Sequence, residues 1–311
     1  MKKGYLFILL TAIFYSTQEI SGKMLAQKGA MDPFQVMMIV FLIGAIVLLP
    51  MAVKDMKAKK IKLNGNDLGY LALCGILAVS ISMSMLQFAV TYTKASTAAV
   101  LFCTNAVFTI PFAYFILKEK IKGITIVSII VSLIGVVIIF NPAKVMEGIG
   151  GSKDLIGICF ALIAAVVWSL YTVISKKRID VYGGYVFNCI SFFFGVIALL
   201  LLLIVTGRPI LSGITLNNIL VLLYMGIFIK AVGYICYLGA IKETSAVTAS
   251  TVFLIKPALA TILAILILGE SIEVNVIIGI VFIIIGSIIN YSSNKKGNDL
   301  KKVASTSELN C

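Results

Sequence analysis

The chain has 311 residues, 60% hydrophobic and only 13% charged, with a formal net charge of +13 and a mean hydropathy of +1.10. A soluble domain of this length needs far more polar residues to cover its surface, so a soluble fold is excluded. There is no histidine and no Cys-x-x-Cys pair among the six cysteines, so no metal site, redox site or cofactor is expected.

Ten apolar runs follow one another, each about long enough to cross ~30 Å of hydrocarbon. They lie near 4–27, 32–53, 67–90, 95–117, 122–140, 155–179, 183–206, 216–239, 245–268 and 272–292. They are too long for strands and lack the alternation of membrane barrel strands. The fold class expected is an all-α membrane protein with ten transmembrane helices. The opening MKKGYLFILLTAIFYS resembles a signal peptide, but no A-x-A-like cleavage site follows, so it reads as an uncleaved first helix. Five cysteines (Cys74, Cys103, Cys159, Cys189 and Cys236) fall inside spans and read as small apolar residues.

The basic excess follows topology. With the amino terminus inside, 18 of the 26 Lys and Arg residues fall on the inner side, five on the outer side and three (Lys23, Lys230, Lys256) within spans. The positive-inside rule then puts both termini in the cytoplasm of a cell whose plasma (inner) membrane holds the protein. No nucleic acid is needed to explain the charge. The partners expected are a small-molecule substrate and membrane lipid.

Residues 89–121 align with 240–272 at an offset of 151 without a gap. Shared positions include Thr93/Thr244, Ala95/Ala246, Phe102/Phe253, Ala113/Ala264 and Glu119/Glu270, and both segments end in Leu-x-Glu. The first helix of each half matches at an offset of 153, as in Ser16/Ser169 and Lys23/Lys176. Five helices per repeat is an odd number, so the second copy enters from the opposite side. Two inverted five-helix repeats are expected, with a site near the midplane between them. The division is 1–140 for the first repeat, 141–154 for the connecting loop, 155–292 for the second repeat and 293–311 for a disordered cytoplasmic tail.

The aromatic-Ser pairs Tyr15-Ser16 and Trp168-Ser169, with helix ends LKEKI and LGESI after ASTAAVLF and VTASTVFL, resemble an EamA-type member of the drug/metabolite transporter superfamily. The resemblance covers essentially the whole chain. It implies a central cavity enclosed by spans 1, 3, 4, 6, 8 and 9. It also implies transport of a small metabolite, often the export of amino acids or related compounds.

Candidate site residues emerge from the spans themselves. Polar stripes at helical spacing face away from lipid. Span 3 carries Ser80, Ser84, Gln87 and Thr91; span 4 carries Thr97, Thr104 and Asn105; span 6 carries Trp168, Ser169 and Thr172. Span 7 has a comparable stripe of Gly184, Asn188, Ser191 and Gly195, although the resemblance leaves it outside the cavity. Single Ser and Thr residues commonly do no more than pack helices together.

Charges within spans carry more meaning, since each costs at least ~2.5–3.5 kcal/mol at the bilayer centre. Lys256 is near the middle of span 9, Lys230 slightly inward of the middle of span 8 and Glu19 slightly outward of the middle of span 1. Glu19 and Lys256 differ in depth by about one helical turn, within reach of each other. Glu19 is equally placed to pair with Lys23 four residues on, and Lys230 to snorkel toward the inner face. Pro257 cannot donate to the carbonyl of Phe253, so it marks a hinge beside Lys256. The substrate-binding set expected is Lys256, Glu19, Lys230, Tyr15, Gln87, Asn105, Trp168 and Tyr234, with Lys256 meeting either a substrate carboxylate or Glu19.

These features point to a secondary transporter for a small zwitterionic or anionic metabolite. With no P-loop, direct ATP use is not expected. Protons are an open candidate for the coupling ion, through Glu19 or a desolvated Lys256. An enzyme would call for His, paired carboxylates or a metal set, none of which is present in the spans. The alternatives are a nucleotide-sugar-like carrier and a structural or regulatory membrane protein without a transported ligand. Ser128-x-x-x-Ser132 in span 5 suits helix packing or a dimer face, which leaves monomer and homodimer both open.

Overall fold

The structure, a computed structural model, describes residues 2–27, 31–118, 123–140, 152–243, 252–286 and 288–289. Among these every regular element is helical. The first span is α1 (Lys2–Ser16) and α2 (Gln18–Gln27). The second is α3 (Pro33–Lys59). The third is α4 (Gly65–Gly75), a π-helical segment (Ile76–Met83) and α5 (Ser84–Tyr92). The fourth is α6 (Ala95–Cys103) and α7 (Asn105–Leu117), and the fifth is α8 (Gly123–Phe140). The second half opens with α9 (Ser152–Lys176), then the short α10 (Ile179–Tyr182) and α11 (Gly184–Val205). Its third span is α12 (Leu216–Tyr224), a second π-helical segment (Met225–Val232) and α13 (Gly233–Glu243). α14 (Val252–Leu268) and α15 (Val274–Gly286) complete the ten. Six of the spans are long and apolar enough to cross a membrane by length and composition alone, while the last two are shorter.

The surface is that of a protein solvated by lipid. Large apolar side chains such as Leu9, Ile46, Phe115, Ile130, Leu201 and Ile265 are exposed all along the helices. Polar punctuation sets the helix starts. Asp32 and Gln35 form a capping box ahead of Pro33, and Asn64 with Asp67 does the same for α4.

The two halves are interlocked. The most extensive packing joins α3 to α11, α1 to α13, α5 to α9 and α7 to α9, so each pairing crosses from one repeat to the other. Glycines make the closest approaches possible. A Cβ on Gly75 would stand 2.0 Å from the Ser191 carbonyl oxygen, and one on Gly195 would stand 2.5 Å from Val79 Cβ. In the other half, a Cβ on Gly226 would meet Ile43 Cβ at 2.6 Å, and one on Gly44 would meet Lys230 Cβ at 2.8 Å. The pairs Gly75/Gly226 and Gly44/Gly195 both keep the 151-residue offset. Each π-helical segment is therefore seated on the second helix of the opposite repeat.

This packing accounts for the polar stripe of span 7. Ser80 donates to the Gly195 carbonyl at 2.9 Å, and Ser191 is buried at the Gly75 contact. The stripe on α11 seats a helix and does not face the centre.

Two spans break near their middles, though neither holds a proline at the break. At Thr17 the hydroxyl bonds the Phe14 carbonyl (2.8 Å) and the Tyr224 hydroxyl (2.8 Å). At Thr104 the hydroxyl takes the Leu101 carbonyl at 2.6 Å, and Asn105 Nδ2 takes the Phe102 carbonyl at 2.8 Å. By contrast, α14 continues on both sides of Pro257. The Leu-x-Glu position Glu119, most of the 141–154 loop and the 293–311 tail lie outside the described residues, and α9 begins at Ser152.

Candidate functional site

The break at Thr17 starts a new helix, and Glu19 falls in its first turn. The positive end of the α2 dipole favours a carboxylate there. α14 brings Lys256 opposite, and Lys256 Nζ donates to Glu19 Oε1 at 2.7 Å. Both are nearly sealed from solvent, with Glu19 1% and Lys256 3% exposed. The Lys256 ammonium also sits 5.1 Å from the centroid of the Phe102 ring. Lys23, the rival partner for Glu19, instead donates to the Thr93 carbonyl at 2.8 Å. Glu19 Oε2 is buried and has no hydrogen-bond partner among the described residues.

Lys230 stands in the second π-helical segment and is 3% exposed. It does not snorkel. Its Nζ donates to Gln18 Oε1 at 2.7 Å, approaches Met83 Sδ at 3.7 Å and lies 4.6 Å from the Phe41 ring centroid.

A cavity of about 40 Å³ lies between these charges. Its walls are Tyr15 and Gln18 of the first span, Met83 and Leu86 of the third, and Phe102 of the fourth. Trp168 of the sixth, Ile229, Lys230 and Tyr234 of the eighth, and Lys256 of the ninth complete it. Tyr15 and Tyr234 meet edge to face at 5.7 Å, and Phe102 and Trp168 meet at a tilt with centroids 5.8 Å apart. The space suits about three waters.

Of the residues expected at the site, Lys256, Lys230, Tyr15, Trp168 and Tyr234 line this cavity, and Glu19 stands behind Lys256 as its counter-charge. Gln87 is elsewhere, donating to the Gly22 carbonyl at 3.0 Å and holding span 3 to span 1. Asn105 is spent on the helix break, and its carbonyl accepts from Ser169 Oγ at 2.7 Å. Gln18, Met83, Leu86, Phe102 and Ile229 were not anticipated. Gln18 had a signal, being the polar neighbour of Glu19, whereas the apolar four carry none.

Each end of the bundle is tied by its own polar cluster. At one end, the Glu270 carboxylate accepts from Ala95 N (2.7 Å), Ser96 N (3.1 Å) and Ser96 Oγ (2.6 Å), clamping the end of α14 onto the start of α6. Lys94 Nζ reaches the Ser271 carbonyl at 2.5 Å, and Thr93 bonds Asp154. At the other end, Asp67 Oδ1 accepts from Arg178 Nη1 (2.8 Å) and from the Tyr182 hydroxyl (2.5 Å). Burial, and then the bond to Asp67, push the Tyr182 hydroxyl above its ordinary value, so it remains a donor.

The model of the EamA-like transporter family matches residues 2–141 and 155–292, once per half. An uncharacterized transporter of Clostridium kluyveri is 94% identical over 307 residues, covering 99% of each chain. Protein PagO of Salmonella typhimurium is 28% identical over 231 residues, 71% of this chain and 72% of its own. A crystal structure with 17% sequence identity superposes with a TM-score of 0.60 over 92% of this chain and 96% of its own, a likeness of fold. The chain belongs to the EamA-like transporter family and is a multi-pass, all-α membrane transporter built from two inverted repeats.

Proposed function

We propose that the protein is a secondary transporter that exports a small zwitterionic or anionic metabolite, an amino acid or a related compound, by alternating access. One observation carries this reading: two buried lysines line a cavity walled by six spans from both repeats, and a buried glutamate stands behind one of them. Two cations against one carboxylate leave the cavity net positive, which favours a substrate bearing an anionic group over an organic cation. The orphan Glu19 Oε2, behind Lys256, is an unmet acceptor of the sign that a substrate ammonium needs. The polar clusters tie both ends of the bundle, and alternating access would part each cluster in turn. The positive-inside asymmetry supports cytoplasmic termini in a plasma membrane. The repeats would then be the two bodies that rock, with Glu19 and Lys256 as the groups through which a coupled proton acts.

The test is counterflow. Proteoliposomes preloaded with a mixture of the L-amino acids should accumulate the same mixture in ¹⁴C-labelled form, and protein-free liposomes should not. Accumulation of labelled cadaverine and putrescine with no accumulation of amino acids would reverse the charge argument.

A further inference from the structure

The two buried lysines differ in what they face. Lys256 has a carboxylate at 2.7 Å. Lys230 has an amide oxygen, a thioether sulfur and an aromatic face, all neutral, and no ion pair among the described residues. Gly44 lets α3 press against its Cβ, and the amide, sulfur and ring contacts hold its ammonium at the cavity wall. The residue is 97% buried, with solvation that neutral groups only partly replace. Gln18, which supplies its best hydrogen bond, belongs to the first turn beyond the Thr17 break and lines the same cavity.

We infer that Lys230, rather than Lys256, receives the anionic group of the transported compound, a carboxylate or another small oxyanion, in exchange for the Gln18 amide oxygen. This rests on the reading of the cavity as a substrate site and names the lysine that does the recognising. Lys256 is already neutralised by Glu19, so an anion arriving there has to compete with a carboxylate held at the end of a helix dipole. An anion at Lys230 displaces only a neutral acceptor and brings the three buried charges to a net of zero. Lys256 is then a positioning residue that holds Glu19 in place.

Formate is the probe, because it is small enough for the cavity as it stands. The purified protein is melted in sodium formate and in sodium chloride at matched ionic strength, beside Lys230→Met and Gln18→Leu. A ligand held only by the folded state raises the unfolding temperature. The expected result is a saturable, formate-specific rise for the native protein, abolished in Lys230→Met. In Gln18→Leu the half-effect concentration should fall several-fold, since the competing amide oxygen is gone. A formate response that survives in Lys230→Met, or no response in the native protein, overturns the inference. Lys230→Met removes an uncompensated charge and should melt no lower than the native protein. Should it fail to fold, Gln18→Leu decides, and an unchanged or weaker formate response there overturns the inference. Counterflow separates the two readings. Native protein that responds to formate but shows no counterflow keeps the anion site and loses the transport function. Counterflow that Lys230→Met leaves intact does the reverse.

Discussion

The third and eighth spans hold the same place in their repeats and solve the same packing problem. Each switches to eight residues of π-helix at its middle, directly after Gly75 in one and beginning at Met225-Gly226 in the other. Each presses on the second helix of the opposite half through glycine. Their chemistry then diverges. The first π-helical segment, ILAVSISM, has no charge, while the second, MGIFIKAV, carries Lys230 to the cavity wall. π-Helical turns inside α-helices are rare and concentrate at functional sites. A symmetric frame with asymmetric charges is what the proposed rocking around an asymmetric ligand would call for.

The charge side of this comparison breaks most easily at Lys256. Lys256→Met leaves Glu19 buried without its partner and should cost about 3–5 kcal/mol, read as a loss of unfolding temperature in detergent. Adding Glu19→Leu should restore most of it, whereas Lys230→Met alone should cost nothing. Equal losses from the two lysine variants would mean that the lysines do the same job. The packing side breaks at the glycines. Gly75→Ala forces a methyl against the backbone at Ser191 and should cost about 3 kcal/mol, the upper end of the usual overpacking range. Gly226→Ala meets the Ile43 side chain and should cost less, about 1–2 kcal/mol. The reverse order would show that the two seats are not equivalent in the sense drawn here.

The polar ends sharpen the picture further. Glu270→Gln keeps the shape of the clamp but removes its charge from three hydrogen bonds, for an expected loss of about 1 kcal/mol. Its larger effect should be on conformation, with a cysteine at Ser96 becoming more reactive to a membrane-impermeant maleimide. Asp67→Asn at the other end keeps an oxygen for Arg178 and the Tyr182 hydroxyl and removes the charge opposite a partly exposed arginine, for an expected small loss of unfolding temperature.

Much of this was legible in the sequence because membranes simplify the code. Apolar length announces a span, and a charge inside a span announces a partner; depth brings Lys256 within reach of Glu19 but leaves Lys23 an equal rival, a choice that only the packed helices resolve. The repeat was legible from its register. The breaks were not. Pro257 carries a visible signal for bending, and α14 runs on through it, whereas the helices part at Thr17 and Thr104, where a hydroxyl takes over a carbonyl from the ladder. The π-helical segments were equally silent, since their glycine seats become visible only once the opposite repeat is in contact. Gln87 and Asn105 show the limit of reading polarity as exposure to substrate, for a backbone carbonyl freed inside the bundle attracts an amide just as well.

The interlocking of the halves has a consequence for how the protein is made. Gly75 cannot find its seat until Gly195 has been synthesised, about 120 residues later, which at usual elongation rates takes on the order of ten seconds. For that interval the first five helices sit in the bilayer with grooves shaped for helices that do not yet exist, filled by lipid tails or by the insertion machinery. The chain cannot mature one half at a time, and a stop placed between the repeats should yield a fragment that the cell clears instead of a smaller transporter.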